Sequence, residues 1–235
     1  MLPNPLILVL PIVIATVDST SAPRTADEVV ARMIAHDSER QAKLHGYTAI
    51  RRYVLENPNH HKQAEMLVRM VYHKDGSKEF EVESSTGWGG ARQHVFPRLL
   101  EAESEASRPG SPENSRMTPE NYAFAMLRVD RVGGRKTYVL KVAPKKQKKY
   151  LIRGIIWVDA EEFAIVRMDG EPAKNPSFWI KSVHFGHKYQ KVGRFWLAAS
   201  DNSVSDARVF GPTELRIDYF DYVVNNASAL QARLP

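Results

Sequence analysis

Residues Tyr138–Tyr189, YVLKVAPKKQKKYLIRGIIWVDAEEFAIVRMDGEPAKNPSFWIKSVHFGHKY, decide the fold of this chain. Successive residues of a strand point to opposite sides of a sheet, so a strand with one wet face alternates apolar and polar side chains. Here the alternation breaks repeatedly. Ile155, Ile156, Trp157 and Val158 run together, as do Phe163, Ala164, Ile165 and Val166, and further on Phe195, Trp196, Leu197 and Ala198. The stretch reads as antiparallel strands with apolar groups on both faces, and predicts that the second face is covered by helices or by a hydrophobic ligand.

The same rhythm extends outward. Strands are expected over 47–55, 64–72 and around Phe80 and Val82, then over 122–129, 136–142, 150–158, 163–168, 179–189, 194–204 and 214–222. Between them lie turn residues: Asn57 to Asn59, Asp75 with Gly76, Gly133 with Gly134, Asp159 to Glu161, Gly193, and Gly211 with Pro212. About ten consecutive strands with short turns predict one large antiparallel meander, which must curl because twist accumulates from strand to strand. No repeat of 20 to 50 residues points to a propeller or solenoid.

Two segments have helical spacing. Thr25 followed by Glu28 is a capping box opening an amphipathic helix with Val30, Met33, Ile34, Gln41 and Leu44 roughly along one stripe, ended by Gly46. His94 to Ser107 carries Val95, Leu99 and Leu100 on one side and Glu101, Glu103 and Glu105 in solvent. Gly87, Gly89 and Gly90 precede it, and the Pro-, Ser- and Gly-rich segment Arg108–Pro119 follows. It is a candidate lid, with an ordinary crossover helix packed permanently on the sheet as the alternative. The fold class is mainly β (α+β).

At 235 residues, with 43% hydrophobic and 26% charged content, the chain fits one globular domain plus an export segment. Its net charge of +6 reads as scattered surface Lys and Arg, with no nucleic-acid partner expected. The absence of cysteine excludes disulfides, thiolate metal sites, a cysteine nucleophile and a lipid-modified N-terminal cysteine. Leu6 to Val17 is apolar and is followed by the small and polar residues Asp18 to Ala22. The apolar run falls short of the about 20 residues that span a bilayer, so residues 1–22 read as a cleaved signal peptide and 23–235 as the mature domain.

Catalytic motifs are missing: there is no G-x-S-x-G, P-loop, H-E-x-x-H or dinucleotide fingerprint. His60 with His61 and His184 with His187 are the obvious histidine pairs, but their spacing points the members apart, so no metal site or cofactor is expected. Arg153 lies in register with Leu151, Ile155 and Trp157, and Arg167 with Phe163 and Ile165. An arginine on such a face needs a carboxylate, a carbonyl or a ligand head group. Both are candidates for head-group binding or gating, with a strand-end ion pair to Glu161, Glu162 or Asp169 as the alternative. The turn bearing Lys145, Lys146, Lys148 and Lys149 is a solvated hairpin tip or a docking point for an anionic surface.

Several blocks carry a family resemblance: T-P-E-N-Y (Thr118–Tyr122), V-x-P-K-x-x-K-K-Y-L (Val142–Leu151), I-W-V-D-A-E-E-F (Ile156–Phe163), G-E-P-A-K-N-P-S-F-W (Gly170–Trp179), Y-Q-K-V-G-x-F-W-L (Tyr189–Leu197) and L-x-I-D-Y-x-D-Y (Leu215–Tyr222). Thr118–Tyr222 thereby resembles the outer-membrane lipoprotein-sorting proteins of the LolA-like superfamily. Ala198 departs from the pattern, standing where proline is expected. The resemblance implies a half-open antiparallel barrel whose concave apolar face is partly covered by an N-terminal helix and a lid helix. It implies a monomeric, non-enzymatic periplasmic carrier of lipid or lipoprotein acyl chains. Partners would be inner- and outer-membrane lipoprotein transport proteins, and the other function on this fold is an RseB-type envelope-stress sensor that binds a signalling protein. It assigns no helix-locking arginine to Arg51 or Arg52. Ala64, Met66, Val68, Met70 and Tyr72 form one apolar row, and methionine suits a surface that adapts to variable partners. The expected acyl-chain contacts are Met66, Val68, Met70, Tyr72, Phe80, Val82, Leu99, Leu100, Phe124, Trp157, Trp179 and Phe185.

Overall fold

The computed structural model describes residues 22–23, 25–108, 115–148, 150–174, 180–207 and 211–226. Thr25, in extended conformation, accepts a hydrogen bond from the Glu28 amide at 3.2 Å and so starts helix α1 (Ala26–Lys43). Asp27 and Glu28 in its first turn and Arg40 and Lys43 in its last complement the helix dipole. Strands β1 (Gly46–Asn57), β2 (Lys62–His73) and β3 (Lys78–Gly87) follow. A π-helical turn, Ala91–Val95, then runs directly into helix α2 (Phe96–Ala106), so the expected helix is present and reaches one turn further toward its N-terminus. The remaining strands are β4 (Tyr122–Val132), β5 (Arg135–Pro144), β6 (Ile152–Asp159), β7 (Ile165–Pro172), β8 (Ile180–Val192), β9 (Phe195–Ala207) and β10 (Gly211–Val224).

Among the described residues these strands form one antiparallel sheet in the order β3-β2-β1-β10-β9-β8-β7-β6-β5-β4. The first strand therefore pairs with the last, from Tyr47 opposite Val224 to Glu56 opposite Glu214. β3 and β4 are the free edges, and the crossover carrying α2 joins them. One inner row runs through most of the sheet by register: Met66, Tyr53, Ile217, Asp201, His187, Met168, Ile156, Leu140 and Met126.

Both helices pack on this inner face. Val29, Val30 and Met33 of α1 join Tyr122, Leu140, Val142, Ile156 and Val158 in the larger core, over β4 to β7. Phe96 of α2 joins Tyr53, Leu55, Ala64, Met66 and Val68 in a second core over β1 and β2. The outer face holds a smaller cluster of Val139, Trp157 and Val166, with Ile155 and Trp196 packed against it. That outer cluster accounts for the broken alternation of β6 and β7, and its cover differs from expectation. Guanidinium groups lie over it: Arg167 is 4.5 Å from the Trp157 ring centre and Arg135 is 5.6 Å from that of Trp196. A planar cation stacks on an aromatic face and keeps its edge in water, so no helix or ligand is needed there.

Local chemistry fixes two further features. Buried Asp159 accepts from the Glu161 and Glu162 amides at 3.0 and 2.8 Å and from Arg135 Nε at 2.6 Å, which holds the β6–β7 turn. Gly154 and Gly170 face each other across β6 and β7, and a Cβ on Gly154 would sit 2.0 Å from the Asp169 carbonyl oxygen. At the other end of β7, before Arg167, β7 and β8 part, because their pairing runs only from Arg167–Lys188 to Gly170–Phe185.

Candidate functional site

The inner face of β1 presents Ala49, Arg51, Tyr53 and Leu55 in alternation, so Arg51 is carried inward with the apolar row and is only 1% exposed. Its guanidinium lies among rings, 4.7 Å from the centre of Tyr219, 5.1 Å from Tyr53 and 5.4 Å from Phe80. From there it reaches α2. Arg51 Nη1 and Nη2 donate to the two carboxylate oxygens of Glu103 at 3.0 and 2.9 Å, a bidentate pair. Lys78 of β3 adds a third contact to Glu103 at 2.7 Å.

The network continues across the sheet. Arg51 Nη2 donates to the Tyr219 hydroxyl at 3.0 Å, Tyr219 donates to Asp201 at 2.5 Å, and Asp201 meets His187 Nδ1 at 2.5 Å. Burial pushes the Tyr219 phenol up, and the Asp201 carboxylate adds to this, so Tyr219 stays protonated and remains the donor. Burial also pushes the Glu103 carboxyl up, but the neighbouring Arg51 and Lys78 outweigh it and hold Glu103 below the ordinary carboxylate value. Two buried polar atoms beside the pair, Arg51 Nε and the Tyr53 hydroxyl, have no hydrogen-bond partner among the described residues. Such atoms each cost about 1–3 kcal/mol.

Around this pair lie many of the residues expected to touch acyl chains. Met66, Val68 and Met70 are at most 2% exposed on the inner face, with Met66 and Val68 packed under Phe96, while Phe80, Leu99 and Leu100 pack half-buried at the same core. Phe124 and Phe185 pack against the α1 core on the other half of the sheet. Tyr72 joins a third cluster with Leu44, Phe195 and Leu197, stacked on Tyr47 at 4.9 Å. Val82 opposes Val68 but is 50% exposed, because β3 is a free edge. Trp157 is not with them: Ile156 faces inward, so its neighbour Trp157 projects to the outer cluster. Trp179 lies outside the described residues.

Neither arginine singled out from the strand register faces the inner surface. Arg153 pairs with Glu171 at 3.2 Å and Arg167 with Asp169 at 2.9 Å, both on the outer side. The inward arginine is Arg51, and its signal was the alternation Ala49, Arg51, Tyr53, Leu55 within one strand. His184 bonds Asp169 at 2.8 Å and His187 bonds Asp201, on opposite faces as their odd spacing predicts. Among the described residues, no group of three His, Asp or Glu side chains is placed to hold a metal ion. No helix among them is long and apolar enough to cross a membrane.

A separate cleft of about 290 Å³ lies on the α1 side, where β7 and β8 part. One stripe of α1, Met33, Ile34, Asp37, Arg40 and Gln41, forms one wall; Ala164, Ile165, Tyr189 and Trp196 form the floor, and Arg116 to Thr118 the rim. Burial pushes the Asp37 carboxyl up, against the pull of Arg40 and Arg116.

No protein-family model and no curated protein matches the sequence. Among solved structures the chain is similar to a DUF1329 family protein from Desulfovibrio piger, 13% identical, covering 87% of this chain and 98% of that one, with a TM-score of 0.45. It is similar to a LolA superfamily protein from Nitrosomonas europaea, 11% identical over 87% and 95% of the two chains, with a TM-score of 0.41. It is also similar to the MucA/MucB complex of Pseudomonas aeruginosa, 11% identical over 86% and 99%, with a TM-score of 0.29. At such identities the side chains of the site speak only for this protein.

Proposed function

We propose that this protein is a non-enzymatic periplasmic carrier that holds lipid or lipoprotein acyl chains on its inner face, beneath α2. The observation that carries this reading is the buried bidentate pair between Arg51 of the sheet and Glu103 of the helix. A helix packed permanently on an apolar floor gains little from such a pair, since well-packed apolar groups in its place are often as stabilising or more so. A pair that can part and re-form is instead a latch. The Arg51 Nε and Tyr53 hydroxyl, without partners among the described residues, leave the closed state short of full hydrogen bonding, which keeps the latch from being a permanent lock.

The magnitudes support exchange. Phe96, Leu99 and Leu100 contribute about 5 kcal/mol to the closed state when their partial exposure is counted. An acyl chain of about 16 carbons gains roughly 12 kcal/mol by the same measure, before the entropy of association is subtracted. The difference of about 7 kcal/mol is what stands against the costs of association and of parting the latch, so uptake and release are close to balanced, and the re-forming latch helps release the cargo. On this reading the leader is cleaved on export after Ser21 or Ala22, and N-terminal sequencing of exported protein finds a start at residue 22 or 23.

The test uses a fluorescent palmitoylated lipopeptide. Wild-type protein binds it saturably, and Glu103→Gln, which weakens the latch and keeps the shape, binds it faster. No binding to either protein overturns the proposal.

A further inference from the structure

The cleft between α1 and the parted strands β7 and β8 is separate from the inner face under α2, and its chemistry is mixed. Met33, Ile34, Ile165 and Trp196 give it an apolar wall and floor. Its charged groups have both signs: Arg40 and Arg116 are cationic, and Asp37 feels the pull of both. The side chain of the acid is 51% exposed at the mouth of the cleft and makes no close ion pair. Asp37 approaches Arg40 only to 3.8 Å, beyond hydrogen-bond distance, because Arg40 Nη1 is committed to the Glu162 carbonyl at 2.9 Å. Arg40 is 16% exposed at its side chain and still has guanidinium hydrogens to give. Tyr189 floors the cleft with a phenol that burial pushes up and that makes no hydrogen bond among the described residues.

From this arrangement we infer that the cleft binds the head of a zwitterionic single-chain phospholipid, with phosphate on Arg40 and Arg116, ammonium on Asp37, and the first part of the chain against Ile34, Ile165 and Trp196. A purely anionic head would set a second negative charge beside Asp37, and a purely cationic one would face two guanidiniums. Only a head with both charges meets each group with its opposite, and the ammonium gives Asp37 a charged donor in place of solvent water. The volume fits a head and a short length of chain rather than a whole lipid. The parting of β7 from β8 gives the rest of the chain a way out, since the ladder between those strands stops at Arg167 and Lys188. This site does not depend on α2 opening, so it stands or falls apart from the carrier reading.

The experiment is calorimetric titration of the full chain with decanoyl lysophosphatidylethanolamine below its micelle concentration, beside decanoyl lysophosphatidylglycerol and phosphoethanolamine without a chain. The ethanolamine lipid is expected to bind at least tenfold more tightly than either of the others. Asp37→Asn, nearly the same shape, should bring the two lipids to within about twofold of each other, and Arg40→Gln should weaken both. Leu99→Ser with Leu100→Ser should leave the preference unchanged. Equal affinity for the two lipids in the wild type, or a preference that survives Asp37→Asn, overturns the inference. So does loss of binding in the Leu99 and Leu100 variant, which assigns the lipid to the inner face and leaves the carrier reading intact.

Discussion

Arg51 is the most constrained charge in the molecule, enclosed by three aromatic rings and answered by a carboxylate from another element. Replacing it with methionine keeps the volume but leaves Glu103 with Lys78 alone, and should cost about 3 kcal/mol, near the lower end for breaking a buried pair because Glu103 is 28% exposed. Denaturant midpoints measure this. The pH dependence has a definite sign. Glu103 has a folded-state pKa below its ordinary 4.5, so the unfolded chain binds the proton first. The stability that Glu103 contributes is therefore complete above about pH 4.5 and is lost as pH falls through the lowered value. The stability difference between wild type and Glu103→Gln should shrink from pH 7 to pH 3; a difference that stays constant rejects the ion pair as its source. At this scale the sequence was half legible. The alternation around Arg51 was readable, but its carboxylate lies 52 residues away and its tyrosine 168, and no local pattern reports such a meeting.

The two helices differ in how they are held, although both have apolar stripes. α1 buries Val29, Val30 and Met33, whereas α2 buries only Phe96 and leaves Leu99 and Leu100 half covered. Amide hydrogens of 97–106 should consequently exchange faster than those of 30–40, and equal protection would point to a permanently packed crossover. Changing Leu99 and Leu100 together to serine should weaken lipopeptide binding more than it lowers the melting temperature. Between β6 and β7, Gly154 and Gly170 leave no room for a side chain against the facing backbone. Gly154→Ala would put a methyl group 2.0 Å from a backbone oxygen, so it should cost about 2 kcal/mol or more. Strand existence and order along the chain were readable from alternation and turn residues, with ends within a few residues. The π-helical turn was not, because Gly89 to Val95 has no signature apart from helix spacing. The stacked guanidiniums over Trp157 and Trp196 were missed too, since a run of apolar residues does not say which of them an arginine will cover.

Across the whole molecule, a curled antiparallel meander was legible because ten alternating segments separated by short turns allow little else. Where the meander closes was not, since the pairing of β1 with β10 joins the two ends of the described chain. That seam divides the protein in an unusual way. A cut within residues 109–114 would yield one piece holding α1, β1 to β3 and α2, and another holding β4 to β10. Each piece keeps a contiguous part of the sheet, and each lacks what the other has: the second owns the floor on which α1 sits, and the first owns both helices. Expressed as separate polypeptides, the two should reassemble on mixing, zipped along β1 and β10 and clasped by α1. Reporter halves fused at the new ends, one following α2 and the other preceding β4, would register any swing of α2 as a change in their separation.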